Sequence, residues 1–452
     1  MLDLLGIGFG PSNLALAIAL DEHNRAVSGG PALQARFFDK QPRFGWHRGM
    51  LIDDATMQVS FLKDLVTMRN PSSDFSFLSY LHSKGRLVDF INHKILFPLR
   101  IEFHDYLEWA AERMEDLVEY DSEVIDVQPV TDGEVVTCFD VVIRRSGALG
   151  EVTLRRARNV VVAVGLELSL PPGVQLSDRV WHNLDLVDRA AAVPDDPSTR
   201  RFIVVGAGQS AAEATEYLHR RFPHAEVCSL FTRYGYTPAD DTPFANRIFD
   251  PEAVDMYFDA PRDVKRMLFD YHRNTNYSVV DTELIQELYR RVYQEKVQGR
   301  QRLRVLNASR LVGVDMTDEG VDVMVEHMPT GERTVLTTDV LVYATGYRPV
   351  DAVRLLGKAG RLCLRDEEGM VCVERDYRLV TSAPTRGGIY LQGGTEHSHG
   401  ITATLLSGIA VRAGEIVQSV VEQSVVEQSV MDGSLNTHRQ PELIALSHDG
   451  AG

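Results

Sequence analysis

The sequence predicts an α/β fold of two Rossmann-like domains, the second inserted in the first, with a small helical region attached. Three observations carry that expectation. The apolar stretch Leu2 to Leu5 runs into Gly6-Ile7-Gly8-Phe9-Gly10-Pro11 and on into Ser12-Asn13-Leu14-Ala15. Phe202-Ile203-Val204-Val205 runs into Gly206-Ala207-Gly208-Gln209-Ser210-Ala211. The strand-like run Asp339 to Tyr343 then brings the chain back and ends in Ala344-Thr345-Gly346-Tyr347. A glycine run between strand and helix lets backbone N–H groups and the helix N-terminus approach a pyrophosphate. One such run is weak evidence, since a tight βα turn uses glycine without any ligand. Two, each with strand before and helix after, describe an enzyme that passes electrons between a flavin and a nicotinamide dinucleotide.

The first unit runs from Leu2 to about His23. A Gly/Pro-containing insertion, Ser28-Gly29-Gly30-Pro31, precedes a second strand, Leu33 to Phe38, that ends in Asp39. An acidic residue closing the second strand is where a Rossmann unit bonds the adenosine ribose, normally about 20 residues after the glycines. The insertion accounts for the longer spacing here. Residues 53–115 read as loops and helices whose aromatics (Phe61, Phe75, Phe77, Tyr80, Phe90, Phe97, Phe103, Tyr106, Trp109) belong mostly to the core. Residues 116–164 alternate as strands and close on Gly165, with Pro171-Pro172 marking the exit.

Val193-Pro194-Asp195-Asp196-Pro197-Ser198 has linker composition, and the second unit follows at 201–232. Residues 260–297 read as mainly helical, 302–346 as β-rich, and the last helix as starting at Thr402. The expected domains are therefore 1–193 with 337–430, and 198–336 with its helical part at about 246–300. The repeat Val420-Val421-Glu422-Gln423-Ser424, Val425-Val426-Glu427-Gln428-Ser429 reads as an extension of the last helix, and 431–452 as a disordered tail.

The formal net charge of −17 speaks against nucleic acid and anionic membrane as partners. No apolar run reaches the roughly 18 to 20 residues of a membrane span. The start of the chain carries no basic region or apolar signal core, so the expected location is the cytoplasm. The four cysteines, Cys138, Cys228, Cys363 and Cys372, form neither a CxxC pair nor a metal spacing and read as reduced structural thiols. His397-Ser398-His399 is weak evidence for a metal, and none is expected.

Ala211 holds the third glycine position of the second run, and the following strand ends in Thr232-Arg233 with no acidic residue. A carboxylate there would repel a 2′-phosphate, whereas a guanidinium clamps it, so NADPH is favoured over NADH. Without a dithiol relay, the reduced flavin must pass its electrons to oxygen, a quinone or an organic acceptor.

From Leu4 to about Ile416 the chain resembles the flavin-dependent N-hydroxylating monooxygenases, in particular the L-ornithine N5-monooxygenase branch of siderophore biosynthesis. The matching segments are Gly6 to Leu14, Gln58-Val59-Ser60-Phe61-Leu62-Lys63-Asp64-Leu65-Val66 with Arg69-Asn70-Pro71, and Ala239 to Asn246. Asn274-Thr275-Asn276-Tyr277-Ser278-Val279-Val280-Asp281, Ala344 to Tyr347, and His399-Gly400 through Leu405-Leu406-Ser407 complete the set.

The resemblance implies FAD, NADPH and O2. NADPH reduces the flavin, oxygen adds at its C4a atom, and the hydroperoxide passes its distal oxygen to a neutral amine while bound NADP+ shields it. It implies Lys63 for the substrate α-carboxylate, Asn246 for the α-amino end, and Ser407 as a wall of the substrate site. Asn276 would touch NADP+ and the reacting nitrogen, and Gln58 would lie by the flavin ring; these two are the expected catalytic residues. Cofactor contacts are expected at Gly6, Gly8, Gly10, Pro11, Asp39, Lys40, Trp46, His47 and Gln58. For the nicotinamide side they are Gly206, Gly208, Gln209, Ser210, Arg233, Asn276, Tyr277, Thr345, Gly346 and Tyr347.

A Lys63–Asp64 ion pair is the structural alternative for Lys63, and a turn or cap role the alternative for each asparagine. L-Ornithine is the expected substrate and self-association, commonly as tetramers, the expected assembly. Lysine differs by one methylene, worth only about 1–3 kcal/mol, and a diamine would leave Lys63 unpaired. A Baeyer–Villiger or sulfide-oxidising flavoprotein would share the two-domain plan, but no FxGxxxHxxxW-like run lies between the domains. A flavin-bound regulator with a vestigial second site conflicts with the intact Gly206, Gly208 and Arg233.

Overall fold

The computed structural model describes residues 1–27, 32–147 and 150–431, without the side chains of 426–431. The chain opens with β1 (Leu2–Ile7), α1 (Pro11–Ala26) and β2 (Ala35–Phe38). Leu14 to Leu20 of α1 form an unbroken apolar run, and all are buried. A helix apolar all round must be covered on both sides. Leu4, Phe37 and Val161 of the first sheet cover one side, and Ile409, Ala413, Ile416, Val417 and Val420 of the C-terminal helix cover the other.

A helical layer follows: α2 (Phe77–Ser83), α3 (Leu87–His93) and α4 (Arg100–Glu112). Its core is aromatic. Phe77 stacks on Phe103 with centroids 5.7 Å apart, and Tyr106 meets it edge-on at 5.3 Å. Phe97, expected among these, is instead 43% exposed. The strands β3 (Val118–Glu119), β4 (Ser122–Asp132), β5 (Val135–Arg145) and β6 (Val152–Val162) complete the first stretch. The sheet order is β3-β2-β1-β6-β5-β4, parallel from β3 to β6 and antiparallel beyond.

The chain continues through β7 (Leu166–Leu168), β8 (Val180–His182), α5 (Leu186–Ala191), β9 (Arg201–Val205), α6 (Gln209–Arg221) and β10 (Glu226–Leu230). Next come α7 (Pro251–Asp259), α8 (Arg262–His272), α9 (Thr282–Gln298) and β11 (Leu303–Leu306). A meander of β12 (Ser309–Met316), β13 (Val321–His327) and β14 (Glu332–Thr338) leads to β15 (Val340–Tyr343). The second sheet has the order β11-β10-β9-β15-β8 and is parallel throughout. Then β16 (Tyr347–Pro349) pairs antiparallel with β7, and α10 (Ala352–Leu355), α11 (Gly357–Gly360) and β17 (Ile389–Leu391) follow. β17 pairs parallel with β6 and so returns the chain to the first sheet. α12 (Glu396–His399) and α13 (Ile409–Met431) end the described chain.

The nesting is as expected, but the expected boundaries at 193/198 and 336/337 do not follow the sheets. β8 and β15, both assigned to the first domain, hydrogen-bond within the second sheet, β15 directly beside β9. An apolar strand does not declare its sheet; its partners in distant sequence do. The last helix also differs: 401–404 and 406–408 are 3₁₀ turns broken at extended Leu405, and α13 starts only at Ile409. The five-residue repeat continues α13 to Met431, while 432–452 and the Ser28–Pro31 insertion lie outside the described residues. Among the described residues no helix is long and apolar enough to cross a membrane.

Candidate active site between the two sheets

Both glycine runs sit at the C-terminal ends of parallel strands, β1 and β9, the ligand side of such sheets. Gly8 has φ +83°, and a Cβ there would collide with the Ala163 carbonyl just beyond β6. Gly206 has φ +146°; its Cβ would strike the Ala344 carbonyl beyond β15 and stand 3.1 Å from the Ala211 methyl. Close passage of the neighbouring strand end therefore demands glycine twice, in the same place in both units. α1 and α6 start on Gly10 and Gly208 without a side-chain cap. Their first-turn N–H groups are left to an outside acceptor. Gly6, Pro11 and Ser210 belong to the same two turns.

Asp39 is buried at the end of β2, its Oδ2 accepting from Phe9 N–H at 2.6 Å and its Oδ1 from Gln41 N–H at 2.7 Å. Those bonds hold it beside the first glycine turn; neighbouring Lys40 is exposed. The Trp46 and His47 rings meet edge-on at 4.7 Å, and Tyr347 lies 6.1 Å from His47. Solvent reaches His47, yet the enclosing protein, with Arg100 and His104, pushes its imidazole down to about 4. Thr345 donates to the Ser169 carbonyl, the Gly346 carbonyl lies 3.3 Å from His182 Nε2, and Asn183 donates to the Tyr347 hydroxyl at 3.4 Å. The Thr345–Tyr347 run thus forms the crossing between the sheets.

On the second unit, Arg233 Nη1 donates to the Ser278 carbonyl at 2.6 Å and to Thr237 Oγ1 at 3.2 Å. Ser278 in turn lies against Gly208. Gln209 is engaged inside the protein: its Nε2 donates to Glu213 at 2.9 Å and its Oε1 accepts from Asp281 N–H at 2.8 Å. It brackets the α6 N-terminus to the start of α9.

Lys63 is half-buried with its ammonium 5.4 Å over the Phe249 ring, and no described carboxylate lies within 4.0 Å of it. Burial lowers its pKa, with Asp250 opposing. The alternative Lys63–Asp64 pair does not form. Asp64 turns inward and accepts from the N–H groups of Val66 (3.0 Å), Thr67 (2.7 Å) and Phe77 (2.8 Å) and from the Thr67 hydroxyl (2.9 Å).

Asn246 shares the 3₁₀ turn 245–249 with Phe249 and donates to the Asp241 carbonyl at 2.6 Å. That turn packs on the 401–404 turn, close in sequence to Ser407, whose buried hydroxyl has no protein partner. Asn276 follows the 273–275 turn, and the hydroxyl of its neighbour Tyr277 donates to Glu396 on α12. Thr404 donates to the same Glu396 oxygen at 2.5 Å. Lys63 thus touches the Asn246 turn, that turn packs on 401–404, and Thr404 and Tyr277 share Glu396, which links the four segments in space. Gln58 is exposed on the loop before Lys63, with no contact tying it to that group. His397 and His399 do not converge: His397 meets the Val371 carbonyl at 2.8 Å and His399 that of Arg375 at 3.1 Å. Among the described residues no cluster of His, Cys, Asp and Glu could hold a metal.

Residues 1–349 match the family model described as L-lysine 6-monooxygenase/L-ornithine 5-monooxygenase. The chain belongs to that family. It is 42% identical to an L-ornithine N(5)-monooxygenase of Burkholderia cepacia over 88% of this chain and 89% of the relative. To that of Pseudomonas aeruginosa it is 38% identical, covering 93% and 94%. The structure resembles the ornithine N-hydroxylase of Kutzneria sp. 744, solved with reduced FAD, NADP+ and L-ornithine. The TM-score is 0.88 at 47% identity, covering 94% of this chain and 100% of that one.

The enzyme uses FAD and NADPH, and the residues of the first glycine turn fit FAD. The α1 N-terminus is uncapped and Asp39 closes β2. The buried hydroxyl of Thr395, beyond β17, lacks a protein partner. The second glycine turn, with Arg233 tied to Ser278 beside Gly208, fits NADPH in the same way. Sequence reasoning missed Thr395 and Glu396. Thr395 follows a Gly-Gly pair at a strand end, a signal that could have found it. Glu396 carries no signal in the sequence that sets it apart from any other helix glutamate.

Proposed function

We propose that this enzyme hydroxylates the side-chain amine of L-ornithine to N5-hydroxyornithine with NADPH and O2, for a hydroxamate siderophore or related peptide. Cytoplasmic location and a homo-oligomeric, tetramer-type assembly complete the reading. The observation that carries it is Lys63, a half-buried ammonium without a carboxylate partner. A substrate bearing an α-carboxylate supplies what the protein does not; a diamine would leave the cation unpaired.

Bound FAD supplies oxygen activation. Around it, Lys63 takes the α-carboxylate, Asn246 the α-amino group, and Ser407 the open hydroxyl contact along the substrate. Asn276 offers a donor and an acceptor that do not titrate, so the reacting amine can shed its proton without gaining a fixed charge beside it. Tyr277, bonded to Glu396, pins the Asn276 segment onto α12. Arg233 reads the 2′-phosphate of the nicotinamide cofactor. Gln58 stands at the flavin side.

The test is product analysis with L-ornithine, L-lysine and putrescine under FAD, NADPH and air. The proposal expects N5-hydroxyornithine as the dominant product. Hydroxylysine in its place would overturn the substrate assignment, and peroxide without any hydroxylamine would overturn the activity.

A further inference from the structure

Arg412 lies on the first turn of α13, is 3% exposed, and has no carboxylate of the described residues within 4.0 Å. Its guanidinium meets only neutral acceptors: the Ala403 carbonyl at 2.7 Å, Ser12 Oγ at 3.4 Å and Gln392 Oε1 at 3.5 Å. The acid one turn along the same helix, Glu415, attracts it through space without touching it and is engaged by Arg375 at 2.9 and 3.1 Å. A buried cation without a counter-ion is strongly disfavoured, and an arginine cannot relieve the penalty by losing its proton.

The place of this cation identifies what it faces. Gln392 donates to the Ser12 carbonyl at 3.1 Å and to Asn13 Oδ1 at 2.9 Å, and Asn13 donates to the Gly8 carbonyl at 2.7 Å. Arg412 therefore ends a hydrogen-bond chain that runs into the first glycine turn, against the uncapped N-terminus of α1. A dinucleotide diphosphate is a dianion, and that N-terminus is where it sits. We infer that Arg412, acting through Ser12 and the α1 N-terminus, is the counter-charge of the FAD diphosphate and the missing partner is the cofactor itself. Arg412 is thus a positioning residue for FAD whose role does not depend on which amine is hydroxylated.

The experiment compares Arg412→Met, which keeps length and loses charge, with Arg412→Lys, which keeps charge and loses the planar fork. FAD is titrated into apoenzyme, and Tm is measured for apo and holo forms. Loss of a charged partner raises the FAD Kd about tenfold or more for Arg412→Met. The Tm gain on FAD binding shrinks, while apoenzyme Tm does not fall. Arg412→Lys restores FAD affinity to within about threefold, since the charge is retained. A purely structural Arg412 predicts the reverse: apoenzyme Tm falls, and the FAD-dependent gain is untouched. That result overturns the inference. Should Arg412→Met fail to fold, Arg412→Lys decides alone: near-native FAD affinity supports the inference, and a loss of about tenfold or more overturns it.

Discussion

Replacing Lys63 by methionine separates substrate binding from stability. The ammonium is half-buried over Phe249 and lacks a carboxylate. A half-exposed cation–π contact is worth about 0.5–1 kcal/mol, and partial desolvation of the charge costs a comparable amount. Folding stability in Lys63→Met should thus stay within about 1 kcal/mol of the parent. With ornithine bound the charge gains a carboxylate, and hydrogen bonds to charged groups contribute about 1.5–3 kcal/mol. The substitution should lower kcat/KM for ornithine by about 10- to 150-fold. NADPH-driven flavin reduction, which does not need the substrate carboxylate, stays near the parent rate. The assay pairs steady-state hydroxylamine formation with anaerobic flavin reduction and urea unfolding. Unchanged ornithine kcat/KM, or a stability loss of several kcal/mol, would refute the reasoning, because Lys63 would then have its partner within the protein.

Other expectations follow from the same geometry. Gly8→Ala forces a methyl onto the Ala163 carbonyl and should purify without flavin, whereas Gly206→Ala should keep its flavin absorbance and lose NADPH-driven reduction; the opposite pattern would exchange the two sites. Arg233→Ala should raise KM for NADPH about 10- to 100-fold and leave NADH nearly untouched, and equal losses with both would sink the 2′-phosphate assignment. His399 is buried and its imidazole is pushed down to about 4 from 6.5, chiefly by desolvation. The folded state therefore binds fewer protons between those values, so stability is full above pH 6.5 and falls toward pH 4. About 2 kcal/mol should be lost by pH 5. His399→Gln should flatten that slope in urea titrations, and an unchanged slope would place the effect elsewhere.

Which parts were legible in the sequence follows from the range of the interactions. Gly6 to Gly10 and Gly206 to Gly208 announce themselves because strand, turn and helix are contiguous, and the structure places both at strand C-termini. The sheet membership of β8 and β15 was hidden, because two short apolar strands carry no mark of their neighbours. The late start of α13 was hidden by the helix-compatible run after Thr402, which Leu405 interrupts in extended conformation. Phe97 resembled its core neighbours in composition and differs only in facing solvent. Lys63, Asn246, Asn276 and Ser407 could be named only through a family pattern, since a lone lysine, asparagine or serine carries no spacing of its own. Glu396 and Arg412 were not legible, since a paired or buried charge on a helix has no distinguishing spacing. Gln209 was assigned to the cofactor, yet its amide is engaged by Glu213, one turn along α6, and by Asp281, 72 residues away and so invisible beforehand.

The most direct test of the central claim is oxygen-isotope labelling. The enzyme is supplied with FAD, NADPH, L-ornithine and 18O2 in ordinary water, and the product is analysed by mass spectrometry. The account predicts N5-hydroxyornithine whose new hydroxyl carries the heavy isotope, formed in step with NADPH consumption. Unlabelled hydroxyl, or NADPH consumption that yields labelled hydrogen peroxide and untouched ornithine, would contradict it.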